Sequence, residues 1–115
     1  MAETGGFPVT TGFGFPGLVV TRYLGVAVGV VVRFTSVSRS FSAQFLQVPG
    51  GEHATGRTEV AETSRWQAVD RMIENARLLG ANAVVSMRFD SVQIGNQRAE
   101  VVAYGTAVII AEPQQ

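Results

Sequence analysis

Few side chains in this sequence have the types and spacing that chemistry needs. Glu52-His53 is the pair with metal-ligand character. Soft metal ions favour thiolate and then imidazole. The chain has no Cys and one His, so Glu52-His53 is a two-ligand fragment that only symmetry between copies could complete; a solvated loop pair is the plainer account. Arg88, Asp90, Glu100 and Tyr104 form a second candidate group, because a hairpin could gather them on one side. Arg22 belongs beside them as the one charged interruption of an otherwise apolar strand face. Acid–base or nucleophilic catalysis needs a positioned constellation, and no nucleophile-elbow motif surrounds any serine here. Charges facing water, or pairing across a subunit boundary, account for these residues, and the expectation is a protein that is not an enzyme. Gly12-Phe13-Gly14-Phe15-Pro16-Gly17 has the glycine content of a phosphate loop. A dinucleotide loop leads from a strand into a helix, whereas this one leads into a strand and contains proline, which makes it a turn-rich link.

The elements that must position these groups centre on Thr58 to Asp90. Trp66, Val69, Met72, Ile73, Ala76 and Leu79 draw one apolar stripe at helical spacing. Arg65, Asp70, Arg71, Glu74, Asn75 and Arg77 occupy the other side, with Glu62/Arg65, Arg71/Glu74 and Glu74/Arg77 as opposite charges three apart. Thr58 or Thr55 could cap the start, and Gly80 sits where a left-handed C-terminal glycine is expected. A helix from Thr58 to Leu79 would be about 33 Å long. Trp66 and Met72 read as core rather than as a ligand pocket.

A strand follows, in which Ala83, Val85, Met87 and Phe89 alternate with Val84, Ser86, Arg88 and Asp90. Gly95-Asn96-Gln97 makes a hairpin turn into a strand from Ala99 to Ile110. The register stays open, since a slip of one residue exchanges the faces. Ahead of the helix, Phe7 to Thr11 suits a short edge strand and Leu18 to Arg33 a long one. The long strand has a bulky face (Leu18, Val20, Leu24, Val26, Val28, Val30, Val32) and a bare one containing Gly25, Ala27 and Gly29. A bare face invites a helix backbone to lie close. The spacing of Phe34, Val37, Phe41, Phe45 and Val48 favours a shorter helix over 34–48, ended by Pro49-Gly50-Gly51, with Glu52 to Gly56 as loop.

At 115 residues there is room for one domain and one core: a flexible tail at 1–6 and a single domain at 7–112. Nine acidic residues balance nine basic ones, all Arg, with a pI of about 6.6. That balance argues against a nucleic-acid partner, which needs a clustered basic excess. The apolar run Leu18 to Val32 is too short and too interrupted to span a membrane. Met1 to Thr11 has no basic region followed by an apolar run, so a cytoplasmic location is expected. A bulky sheet face and a bare one exceed what a single long helix can cover. Association with copies of itself, with Gly25, Ala27, Gly29 and Trp66 as packing residues, is the simplest remedy.

Several stretches together resemble the YbjQ-like family, small bacterial proteins carrying a heavy-metal-binding label. They are TTGFGFPGLVVTRYLGVAVG, the Pro49-Gly50-Gly51 break, RLLGANAVVSMRFD and the terminal YGTAVII. The most specific mark is Leu79-Gly80-Ala81-Asn82-Ala83-Val84-Val85. The resemblance implies an α+β subunit of dodecin-subunit-like β-α-β-β type, with an antiparallel or mixed sheet on one long helix plus a shorter one. It also implies a homo-oligomeric ring, commonly a pentamer, with an intersubunit sheet, and no established activity. A small ligand between subunits is one expectation; a bound metal ion, with Glu52 and His53 as ligands, is the other. Arg22, Arg88, Asp90 and Tyr104 are the candidate ligand or intersubunit polar residues. Family members often carry Gly-Gly-Arg-Ser and a tyrosine ahead of the long helix; here Gly50-Gly51 is followed by Glu52-His53-Ala54-Thr55.

Overall fold

A computed structural model describes residues 6–34, 50–95 and 98–114, with the backbone alone at Phe34 and over 50–62. Within them lie β1 (Val19–Phe34), α1 (Gly50–Leu78), β2 (Ala83–Ile94) and β3 (Arg98–Ala111). The strands form one antiparallel sheet in the order β1-β3-β2, and α1 covers one face of it. The α+β class follows as expected. The shorter helix proposed over 34–48 lies, apart from the backbone of Phe34, outside the described residues, as does the tail at 1–5.

The helical stripe packs as its spacing predicts except at Leu79. Ala68, Val69, Met72, Ile73 and Ala76 are buried against the sheet, and Trp66 is partly so. Leu79 instead stays 45% exposed, because the helix has already ended at Leu78. Gly80 takes φ 92°, its N–H donates to Arg77 O at 2.9 Å, and Ala81 N–H donates to Ala76 O at 3.0 Å. These two bonds are the Schellman closure, which carries the chain off the helix axis before Leu79 can join the stripe. At the other end α1 begins at Gly50, so Glu52 to Gly56 is helical rather than loop. A proline just ahead of a helix is well tolerated, since its missing N–H would lack a partner there. Pro49-Gly50-Gly51 thus marks a helix start as readily as a break.

The bare face of β1 is where α1 lies. Ala27, Gly29 and Val31 are buried there beside Val101, Ala103 and Ala107 of β3. A β-carbon at Gly29 would come within 2.1 Å of Ala68 O and 2.3 Å of Met72 N, so the helix backbone touches the strand backbone. Gly25 differs: it has φ 121° at a register shift between Tyr23 and Gly25 and nothing within 4 Å of a built β-carbon.

The expected alternation of β2 fails in its middle. Val85 pairs with Thr106 and Arg88 with Tyr104, so β2 carries one extra residue there. Ser86 has φ 57°, the one positive value for a non-glycine among the described residues. This β-bulge reverses the faces beyond it. Val84 and Met87 both reach the helix-side core, whereas Ala83 and Val85 pack on the opposite face with Val108, Val20, Ile110 and Phe15. Gly105 sits opposite the bulge, where a β-carbon would come within 2.6 Å of Val84 Cγ1 and 3.2 Å of Met87 Cα.

The bulge also receives the edge segment expected at Phe7 to Thr11, which runs parallel to β2 through a bridge between Val9 and Val84. Val84 N–H donates to Pro8 O, Thr10 N–H to Val84 O, Met87 N–H to Thr10 O and Ser86 N–H to Gly12 O. Phe7 is buried, with the Arg77 guanidinium 4.9 Å over its ring.

Candidate functional site

The sheet face opposite α1 holds the candidate residues. Its rows follow from the pairing: Val28, Tyr104 and Arg88 lie abreast, then Val30, Val102 and Asp90, then Val32, Glu100 and Val92. One end of this face is closed by Phe15 of the link, packed with Val20, Ala83, Val85, Val108 and Ile110. Beyond that closure Val26 is 66% exposed, Val28 38%, Val30 36% and Val32 41%. Tyr104, Val92 and Ile94 are exposed with them. Val26, Val28, Val30 and Val32 of the expected bulky face thus share one surface with Tyr104, Val92 and Ile94, interrupted by Glu100 and Asp90, whereas Leu24, on the far side of the register shift at Gly25, packs into the helix-side core instead.

Register brings Arg88, Asp90, Tyr104 and Glu100 onto one face, as the hairpin expectation required. Directly opposed residues have Cβ atoms about 4.5–5.5 Å apart, so Arg88 and Tyr104 are neighbours. Arg88 and Asp90 are already engaged by backbone. Arg88 Nη1 donates to Thr11 O at 2.9 Å and to Met87 O at 2.8 Å, and an Asp90 carboxylate oxygen accepts from Ser91 N–H at 2.9 Å. Arg88 therefore ties the link to β2. Arg22 does not join this group: it pairs with Ile109, five positions along β3 from Tyr104.

Among the described residues no group of three or more His, Asp or Glu side chains could hold an ion. The side chains of Glu52 and His53 lie outside the described residues. Their backbones occupy consecutive places in the first turns of α1, about 100° apart around a helix axis.

Other positions carry structure that the residue pattern alone did not reveal. Asn82 donates to Ile110 O at 3.0 Å and accepts from Ile110 N–H at 2.8 Å, clamping the start of β2 to the end of β3. Arg71 donates to Val30 O at 2.8 Å and Asn75 to Val28 O at 2.6 Å. On the helix these last two read as ordinary members of the solvent side, and nothing short of the tertiary arrangement shows them reaching a strand.

Comparison with known proteins agrees with this architecture. The family model YbjQ, described as "Putative heavy-metal-binding", matches residues 7–111. A UPF0145 protein of Burkholderia orbicola is 48% identical over 104 residues, covering 90% of this chain and 86% of that protein. A UPF0145 protein of the archaeon Sulfurisphaera tokodaii is 41% identical over 104 residues, covering 90% of each. Among solved structures, a Pediococcus pentosaceus protein with unknown function, of the DUF74 family, superposes with a TM-score of 0.58. That match spans 92% of this chain and 99% of the other at 15% identity, a likeness of fold alone. With a family model spanning nearly the whole chain and relatives this similar, the protein belongs to the YbjQ family of UPF0145 proteins.

Proposed function

We propose that this protein is a non-enzymatic, self-associating cytoplasmic protein whose copies close into a ring and hold a small ligand between neighbours. The observation that carries this reading is the open sheet face, which Val26, Val28, Val30 and Val32 of β1 share with Tyr104 of β3 and with Val92 and Ile94 of β2, all of them exposed. A contiguous exposed apolar surface rimmed by polar groups is the kind that marks an association site. Arg88 and Asp90 of β2 supply polar groups at its margin, and Glu100 of the central strand stands between Val32 and Val92. A pentamer is the ring size implied by the family resemblance. The engagement of Arg88 with two backbone carbonyls supports a positioning role over a catalytic one.

Native mass spectrometry tests the reading directly. The expected spectrum is a closed multimer that retains an organic mass. A monomer at every concentration, with an intact cooperative melt, overturns it. The family description supports a second reading, a metal-handling protein. Bound metal surviving desalting, with heat on titrating zinc, copper or cadmium, would favour that one; a silent titration would end it.

A further inference from the structure

The outer edge of β1 is closed by two side chains of α1, and this closure has a consequence for how copies can meet. Val84 spends both backbone groups on the edge segment, so its neighbour Val85 is the residue that bonds across to Thr106. By the alternation of an antiparallel ladder, even residues of β3 then face β2 and odd residues face β1. Their partners Ala27 and Gly29 point inward, and the backbone groups of Val26, Val28, Val30 and Val32 lie along the outer edge, which no further strand pairs among the described residues. A row of backbone groups facing outward from a sheet edge is a template for another strand. Arg71 and Asn75 stand across its middle, donating to Val30 O and Val28 O. The match is one of pitch: four helical residues rise about 6 Å and two strand residues about 6.7 Å. Donors four apart on α1 therefore meet carbonyls two apart on β1. The Gly29 contact holds the helix close enough for both to reach.

We infer that Arg71 and Asn75 are edge caps, which deny β1 to strand addition by a second copy and so direct association onto the open valine face. The direction onto that face rests on the function proposed above; the capping does not. The test compares the wild-type chain with R71A/N75A, with each single alanine variant, and with R71K/N75Q, which keeps a donor at both positions. Light scattering after gel filtration follows mass against concentration and time, circular dichroism follows the fold, and infrared spectra follow intermolecular β-structure.

R71A/N75A is expected to keep its helix signal yet at least double its mass with time, gaining an intermolecular sheet band, while R71K/N75Q keeps the wild-type size. Should the double variant fail to fold, the single variants decide, each uncovering one carbonyl and growing more slowly. Folded alanine variants that keep the wild-type size overturn the capping, and so does growth of R71K/N75Q equal to that of the alanine pair. A monomeric wild type would instead count against association through the valine face. In that case the alanine variants are still expected to grow, from the monomer, so the two failures are separate results.

Discussion

At Gly29 the backbone of β1 lies so near α1 that one methyl group has no room, its built β-carbon being 2.1 Å from the Ala68 carbonyl oxygen. Neither contact atom is on a flexible side chain, so the strand or the helix must move. Gly29→Ala is expected to cost roughly 3 kcal/mol or more, read as a lowered urea midpoint at unchanged slope. The clash arises inside one chain, so the loss should appear whatever the oligomeric state. Gly25 makes a control. A β-carbon there meets nothing, and only its φ of 121° opposes a side chain. Gly25→Ala should therefore cost about 1–3 kcal/mol through backbone strain, and the cost should rise little on going from Ala to Val. At Gly29 the same enlargement should unfold the protein. The bare face was legible as a place for close approach; which of its glycines is pressed, and by what, was not.

Elements here are joined by short devices whose loss can be measured one at a time. Gly80 closes α1 in the left-handed region, and Gly80→Ala is expected to cost about 1–2 kcal/mol, lowering the melting temperature by several degrees. The edge segment along β2 depends on the bulge at Ser86 and on the Arg88 guanidinium at Thr11 O. Removing that donor in Arg88→Ala should weaken the segment by about 1 kcal/mol, since an exposed bond returns most of its strength to water. Hydrogen exchange should then report roughly fivefold faster exchange at Thr10 and Met87 with the α1 amides unaffected. Equal rates in both proteins would show that the backbone ladder alone holds the segment. The helix, the hairpin and the long strand were legible because their apolar spacing extends over many residues. The bulge was not: one inserted residue leaves no mark in a run of β-branched and small side chains, yet it exchanges the faces of everything after it.

For the molecule as a whole, the valine face and the capped edge make opposite predictions about size. Val28→Asp with Val30→Asp places two charges on a surface already in contact with water in the single chain. Stability of the isolated chain should change by no more than about 1 kcal/mol for the pair. Association should fall sharply, because burying an unpaired carboxylate against another copy is strongly unfavourable. Gel filtration with light scattering distinguishes the outcomes: a folded variant at monomer mass is expected, and a variant of undiminished mass would remove this face as the contact. No described helix is long and apolar enough to cross a membrane.

From residues alone came the α+β class, the helix with its glycine stop, the hairpin after it, and a strand with one bare and one bulky face. Each is a periodic or local property, fixed by side-chain spacing or by the conformational preference of glycine. Only the tertiary structure decided the register of the hairpin, the face each residue of β2 presents, and the grouping of Arg88, Asp90 and Tyr104 apart from Arg22. It also decided that Arg71 and Asn75 serve a strand edge more than forty positions away. Those facts depend on contacts between elements distant in the chain, and a local pattern carries no record of its distant partner.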